Sequence, residues 1–145
     1  MNRLRLLTLL SLLAVALSAC AGPAYEVELK GETFTVDLAL TAEEQRRGLM
    51  FVDEMPADHG MLFIFNREAP RSFWMKNTRI PLDIIYFDEN LALVSVARAR
   101  PCAADPCPGY PSAAPARYVL ELNAGLADEL ALERGDELRL LFPAP

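Results

Sequence analysis

The stretch from Gly60 to Phe87 constrains the fold of this chain more than any other part of it. It holds the densest group of aromatic and branched apolar residues and includes Trp74, the single tryptophan. Short runs of such residues between turn residues are typical of strands. Because a chain of 145 residues must bury this stretch, we expect it to form interior sheet, with the other segments packed on it or paired with it.

The residues before this stretch show the two-residue period of half-buried strands. Tyr25–Lys30 and Thr33–Leu40 alternate apolar and polar side chains on either side of Gly31, so they predict a hairpin. Thr41 and Glu44 then match a capping box, in which each residue satisfies an amide near the start of a helix. A short helix is therefore predicted after the hairpin.

The rest of the chain adds strands of similar length. They are predicted at residues 61–65, 72–75, 83–87, 91–97, 117–122 and 137–142, with a polar turn at 66–71 and a second short helix over 124–132. The loop 98–116 carries five prolines, so we expect it to lie over the surface or cap one end of a sheet. The pattern predicts a mainly β, compact single domain over residues 25–145. We expect a sandwich or barrel of about eight short strands with two short helices.

Residues 1–19 carry the pattern of a secretory signal peptide. Two arginines precede an apolar run that is too short to cross a bilayer as a helix. The segment Leu17-Ser18-Ala19-Cys20 resembles the lipobox of bacterial lipoproteins, in which the cysteine is lipidated and becomes the first mature residue. The resemblance implies a lipid anchor on Cys20, followed by a tether over residues 20–24. Ala21 after the cysteine favours, in that class, the periplasmic face of the outer membrane; ordinary cleavage that leaves a thiol is the alternative.

The charge of the chain limits the partners that it can attract. The formal net charge is −6, and loss of the two arginines of the signal lowers it to −8. An acidic domain lacks the basic surface that nucleic-acid binding requires, and it is repelled by anionic headgroups. We therefore expect no nucleic-acid partner and a membrane contact through the N-terminal lipid, since several acyl chains anchor stably.

The other two cysteines, Cys102 and Cys107, lie in the proline-rich loop. In an oxidising envelope compartment, two thiols at this short spacing favour a local disulfide. A zinc site would require two further ligands, and His59 is the only histidine.

A set of motifs connects the chain to a known family. In order, they are Gly48-Leu49-Met50, Gly60-Met61-Leu62-Phe63, Phe73-Trp74-Met75-Lys76-Asn77-Thr78, Pro81-Leu82-Asp83-Ile84, Val119-Leu120-Glu121-Leu122-Asn123-Ala124-Gly125 and Gly135-Asp136. Each motif is weak alone, but six in this order are specific. The chain resembles the bacterial and archaeal family called domain of unknown function 192, over about Glu26 to Leu141. The resemblance implies a compact, mainly β fold that is often secreted or lipid-anchored, and it carries no established activity.

The candidate ligand-binding residues are polar groups close to the tryptophan and in a strand that we expect beside it. They are Trp74, Lys76, Asn77, Asp83, Glu121 and Asn123. An amine, an amide and a carboxylate around an indole face suit a small polar or sugar-like ligand. The structural alternative is that the indole fills the core and the polar residues bond turn amides or pair with one another.

Catalysis and metal binding are weaker hypotheses. Asp83 and Glu121 could act as an acid–base pair, with Lys76 beside them, but the sequence shows no nucleophile–base signature. No phosphate loop or dinucleotide fingerprint appears, so no cofactor is predicted. A soft-metal site for Cu(I) could use Met55, His59 and Met61, although methionine in apolar runs usually serves packing. The sequence therefore favours a lipid-anchored binding or interaction module, with an envelope ligand or a protein as its partner.

Overall fold

A computed structural model describes residues 24–145 and contains nine strands and two short helices. In chain order they are β1 (Tyr25–Leu29), β2 (Glu32–Ala39), α1 (Ala42–Arg47), β3 (His59–Ala69), β4 (Ser72–Trp74), β5 (Leu82–Phe87), β6 (Leu93–Ala99), β7 (Gly109–Pro111), β8 (Ala116–Asn123), α2 (Leu126–Glu129) and β9 (Leu138–Leu140). The predicted mainly β, single-domain architecture is confirmed. The predicted signal peptide (1–19), Cys20 and nearly all of the tether (20–24) lie outside the described residues.

Seven strands form one curled, half-barrel sheet in the order β6-β5-β8-β3-β2-β1-β9. The predicted hairpin of β1 and β2 is present, and Lys30 and Gly31 in its two-residue turn both have positive φ. All neighbouring strands are antiparallel except β2 and β3, which pair in parallel from Thr35↔His59 to Ala39↔Phe63. A parallel pair requires a crossover connection, and α1 with the loop after it provides the connection here.

Helix α1 begins with the predicted capping box. The Thr41 side chain accepts a hydrogen bond from the Glu44 amide, and the Glu44 carboxylate accepts one from the Thr41 amide. These two bonds satisfy amides that the first helical turn leaves open. Because the helix is only six residues long, this cap and the contacts of its side chains fix its position more than helix propensity does.

Apolar side chains form clusters on both faces of the sheet. The cluster inside the curl draws on every strand of the sheet: Val27, Leu29, Phe34, Val36, Leu62, Ile64, Ile85, Phe87, Leu93, Tyr118, Leu120, Leu122 and Leu138. The outer face carries a second cluster: Ala39, Leu49, Phe63, Met75, Ile80, Leu82, Ile84, Tyr86, Ala99, Ala116 and Val119. Strand β5 is consequently buried along its whole length and β8 along most of it, which explains their nearly continuous apolar sequences.

The small sheet of β4 and β7 covers part of the outer face. The proline-rich loop therefore does more than cap the surface, since it contributes β7, which pairs with β4 in the register Trp74↔Gly109. Phe73 points inward, with ring centroids 4.9 Å from Phe63 and 5.9 Å from Tyr86. Trp74 therefore points to the opposite side and is 50% exposed. The expectation that the indole fills the core is wrong, because neighbouring residues of a strand face opposite ways.

Other boundaries also differ from the predictions. The segment predicted as a turn at 66–71 is mostly strand, because β3 continues to Ala69 past an irregularity after Ile64. The second helix, predicted over 124–132, spans only Leu126–Glu129, and Asn123 before it is still paired with Leu82 at the end of β8. At the first site local polarity indicated a turn, and at both sites cross-strand pairing extends the strand.

Strands β3 and β8 approach closely at Gly60, which leads to a stability prediction. A Cβ at this position would lie 2.6 Å from the Glu121 carbonyl oxygen and 2.7 Å from a Leu122 methyl carbon. We expect Gly60→Ala to lower the free energy of unfolding by roughly 1–3 kcal/mol, because a backbone atom cannot rotate away. Chemical denaturation followed by circular dichroism measures this change.

Gly109→Ala is the matched control. Its Cβ would meet the Ser72 Oγ at 2.9 Å, and that hydroxyl can rotate aside. We expect a change of less than about 1 kcal/mol in its free energy of unfolding. Equal losses in the two variants would contradict the close approach at Gly60.

Candidate functional site

Trp74, Lys76 and Asn77 lie together, at the end of β4 and in the turn that follows it. The Lys76 Nζ is 5.8 Å from the Trp74 ring centroid and 3.4 Å from an Asp105 carboxylate oxygen. Asn77 has φ 56°, and its carbonyl accepts a hydrogen bond of 2.8 Å from the Phe51 amide. Lys76 therefore pairs with a carboxylate, and Asn77 serves the turn.

Asp83 and Glu121 do not come together. In the β5–β8 register, Asp83 stands opposite Leu122, and Glu121 stands opposite Ile84. Opposed residues share a face of the sheet and the next residues along each strand point the other way. Asp83 therefore lies on the inner face and Glu121 on the outer face, so the acid–base pair considered from the sequence is not formed.

Asp83 is fully buried and holds the start of α2. Its Oδ2 accepts hydrogen bonds from the Gly125 amide at 2.9 Å and the Ala127 amide at 2.8 Å, while its Oδ1 has no partner within the described residues. A carboxylate at a helix N-terminus satisfies amides that the helix leaves open. These contacts indicate a structural role for Asp83.

Asn123 and His59 also make contacts that hold the structure together. The Asn123 side-chain amide donates to the carbonyls of Met55 and Pro56, both at 3.0 Å, so it fixes the loop before β3.

His59 Nε2 is 3.1 Å from an Asp37 carboxylate oxygen. The side chains of Met55 and Met61 pack against the outer-face cluster. In the part of the chain that the structure describes, no group of three or more His, Cys, Asp or Glu side chains is arranged to hold a metal ion.

Cys102 and Cys107 are joined by a disulfide, with their Cα atoms 5.6 Å apart. The bond closes the loop that carries Asp105, the partner of Lys76. The loop is thereby tied to the turn after Trp74, and it leads directly into β7, which pairs with β4.

Trp74 forms one wall of an open groove of about 430 Å³ between α1, β3 and β4. Aromatic and cationic side chains dominate its lining, which consists of Ala42, Gln45, Arg46, Phe65, Pro70, Arg71, Ser72, Phe73 and Trp74. Gln45 is fixed at its back, since its side-chain amide donates to the Ile64 carbonyl at 3.0 Å. The arrangement combines flat apolar surfaces with a few directed polar groups, as binding sites for small molecules do.

Three arginines make the groove cationic although the chain as a whole is acidic. Arg46 and Arg71 line it, and Arg67 stands beside Arg71 in an adjoining depression. The Arg71 guanidinium carbon lies 3.7 Å from the Phe65 ring centroid, and its Nε donates to the Ala116 carbonyl at 3.0 Å. Burial and then the charge of Arg67 lower the pKa of Arg71. Among the described residues none of the three forms an ion pair, so their charge is available to an anion.

Glu121 lines a small cavity of about 20 Å³ that adjoins this groove. The cavity shares Gln45, Arg46, Phe73 and Trp74 with the groove, and its lining also includes Thr78. Glu121 is 4% exposed, and burial raises its pKa to about 8. Burial and then the nearby Glu121 carboxyl also raise the pKa of Tyr86. A carboxyl group in this environment is mostly protonated at neutral pH.

Sequence reasoning included Trp74 and Glu121 among the candidates but missed the arginines and the two phenylalanines of the groove. Arg46 and Arg47 lie in the last turn of a capped helix, where basic residues favour the helix whether or not they bind a ligand. The turn predicted at 66–71 separated Phe65 from Phe73 and Trp74, so the sequence did not indicate that these three residues line one groove. The alternation of Phe73 and Trp74 within one strand is the local signal that could have indicated an outward indole.

A further groove, of about 480 Å³, runs along β2 from Tyr25 to Leu40. It also includes Ala24, the first described residue, so its surroundings toward residues 1–23 lie outside the described part. It shares no lining residue with the groove beside Trp74.

Comparisons with known proteins give a consistent picture. The family model of domain of unknown function 192 (DUF192), described as "Uncharacterized ACR", matches residues 25–140. A crystal structure of a protein from Sinorhizobium meliloti 1021, named as a candidate transcription regulator, is 34% identical with a TM-score of 0.74. The match covers 85% of this chain and 98% of that one.

A crystal structure of a protein of unknown function from Novosphingobium aromaticivorans DSM 12444 is similar to a comparable degree. It is 37% identical with a TM-score of 0.71, and the match covers 81% of this chain and 83% of that one. No curated protein sequence matches the chain. These comparisons indicate no specific function.

The buried carboxyl group makes the stability of the protein depend on pH. The pKa of Glu121 is about 8 in the folded state and near its ordinary value of 4.5 in the unfolded chain. The unfolded state therefore releases its proton first as pH rises, and the free energy of unfolding falls between about pH 4.5 and pH 8. We expect Glu121→Gln to remove this contribution, so that at pH 8 the variant is more stable than the wild type by roughly 2–5 kcal/mol.

Urea denaturation at a series of pH values measures the difference between the two proteins. Glu89→Gln, at an exposed turn, is the control and should leave the pH profile unchanged. Parallel pH profiles for the wild type and Glu121→Gln would contradict a buried, protonated Glu121.

Proposed function

This chain belongs to the DUF192 family, whose function is unknown, and we propose that it is a lipid-anchored binding module of the bacterial cell envelope. In this proposal the groove beside Trp74 holds a small anionic ligand. The exposed indole at the edge of a cationic groove is the observation that carries the proposal.

The groove supports a binding role through its chemistry. An exposed indole face suits the flat side of a small molecule, and its ring nitrogen can donate a hydrogen bond. Arg46 and Arg71 add cationic donors on the same walls. Arginine recognises carboxylate and phosphate groups through paired hydrogen bonds, so an anionic ligand fits this groove better than a neutral or cationic one.

The envelope location rests on the N-terminal sequence. Residues 1–19 have the charge, apolar run and small-residue exit of an export signal, and Cys20 follows in a lipobox-like context. In residues 24–145, no helix is long and apolar enough to cross a membrane. A lipid on Cys20 would hold the domain at the periplasmic face of the outer membrane, where anionic envelope fragments are present.

The name of the Sinorhizobium protein raises the alternative of a nucleic-acid partner. We do not extend it to this chain, because a formal charge of −6 opposes the counterion release that drives nucleic-acid binding. A protein partner remains the second candidate, since exposed Phe51 and Trp74 both lie on elements that line the site or adjoin it.

Anionic fragments of peptidoglycan are the first ligands to test. Because Trp74 is the only tryptophan, its fluorescence reports directly on the groove. We expect a saturable fluorescence change, and we expect Trp74→Ala to weaken binding about tenfold or more when it is measured by calorimetry, through loss of the stacking surface.

Tyr25→Ala, which removes another exposed aromatic side chain away from the groove, should leave the affinity unchanged. No fluorescence or thermal response to any anionic envelope fragment would count against a small-ligand role and favour a protein partner.

The lipid anchor has a separate test. We expect Cys20→Ser to move the protein from the membrane fraction to the soluble fraction, because the acyl chains supply the membrane affinity. The double change Cys102→Ser and Cys107→Ser is the control and should leave the protein with the membranes. Membrane association of Cys20→Ser, or an unmodified Cys20 in the mass spectrum of the wild type, would exclude the anchor.

A further inference from the structure

Glu121 is an acid with no structural partner. It projects from β8 to the outer face of the sheet, between β3 and β5, and only 4% of the residue is exposed. Burial raises its pKa, and among the described residues its side chain makes no hydrogen bond and no ion pair. Buried polar groups are nearly always hydrogen-bonded, so an exception calls for an explanation.

The cavity at Glu121 is the size of a single small group. A volume of about 20 Å³ admits one water molecule or one ligand atom with its hydrogens. The cavity adjoins the Trp74 groove, since the two share four lining residues: Gln45, Arg46, Phe73 and Trp74. A ligand in the groove therefore lies next to the cavity that Glu121 lines.

The charged groups around the cavity limit what that atom can be. Arg46 and Arg47 line it from α1, and Tyr86 is the titratable group that faces Glu121 from β5. Strands β3 and β4 contribute only the apolar side chains of Phe63, Phe73 and Trp74, and the turn after β4 adds the Thr78 hydroxyl. The two arginines in the lining repel a ligand ammonium group and attract an anion.

We propose that Glu121, Arg46 and Arg47 form an oxyanion site, in which protonated Glu121 donates a hydrogen bond to one oxygen of a ligand carboxylate. The remaining ligand oxygen contacts the arginines in the lining, and the body of the ligand lies along Trp74 in the groove. This inference rests on the proposed binding function and specifies which end of the ligand enters the protein. A neutral carboxyl group is required, because two carboxylates at contact distance repel each other.

Acetate is the probe for this site, since its charge stays at −1 between pH 6 and pH 9. The full chain is titrated with sodium acetate at constant ionic strength, with chloride as the replaced anion, and binding is followed by Trp74 fluorescence and by the rise in Tm. We expect acetate to stabilise the wild type at pH 6 and to bind roughly tenfold more weakly at pH 9. This ratio follows from ionisation of Glu121 around its pKa of about 8.

Variants separate the contributions of the three residues. Glu121→Gln keeps a donor that does not ionise, so it should bind acetate at both pH values with no tenfold loss. Glu121→Leu removes the donor and should abolish the response, and circular dichroism checks that it is folded. Arg46→Gln should weaken acetate binding roughly tenfold, whereas Arg134→Gln, at a turn away from the groove, should leave it unchanged.

Three outcomes would overturn the inference. They are the absence of any acetate response in the wild type, an equal loss at pH 9 in the wild type and Glu121→Gln, and equal weakening by Arg46→Gln and Arg134→Gln. The proposed groove has its own readout. If Trp74→Ala weakens the binding of larger fragments and Glu121→Leu, which removes the donor, leaves it unchanged, the groove is supported and the oxyanion site is rejected.

Discussion

The burial of β8 on both faces is the constraint on which the rest of this structure depends. It lies between β3 and β5, and its alternate side chains enter the inner and outer clusters. A strand covered on both faces has no solvent side for a polar residue. Every polar group in β5 or β8 must therefore find a partner within the fold or meet a cavity. Asp83 and Glu121 represent these two solutions.

Asp83 belongs to the first kind. Its carboxylate accepts hydrogen bonds from the Gly125 and Ala127 amides at the start of α2, so the acid joins the helix to the sheet and is part of the scaffold. Glu121 belongs to the next pair of the β5–β8 register and lies on the opposite face. Among the described residues its carboxyl group has no hydrogen bond like those of Asp83. The unfolded chain can ionise it freely, so its burial lowers the stability of the protein above about pH 5. Residues that reduce stability without a packing reason are found mainly at functional sites.

The chain topology explains why arginines come to lie over this acid. Strands β2 and β3 are parallel, and their connection must cross from one end of the sheet to the other. Helix α1 and the loop after it make that crossing over the outer face, where Gly48 and Leu49 adjoin Phe63 and Glu121. The last turn of α1 then places Arg46 and Arg47 at the cavity, and β4 brings the indole to the same place. Cations, aromatic surface and acid thus meet from parts of the chain that are far apart in sequence.

The sequence by itself determined the period-two strands, the β1–β2 hairpin, the capping box of α1 and the family, because these features depend on residues a few positions apart. It also contained Trp74 and Glu121 as candidates. It could not determine that Trp74 faces outward, that Asp83 and Glu121 occupy opposite faces, or that β3 runs on to Ala69, since each depends on which strand pairs with which and in what register. A shift of one residue in a strand exchanges its faces. Only the tertiary structure decides that register, because it is set by burial summed over the whole sheet.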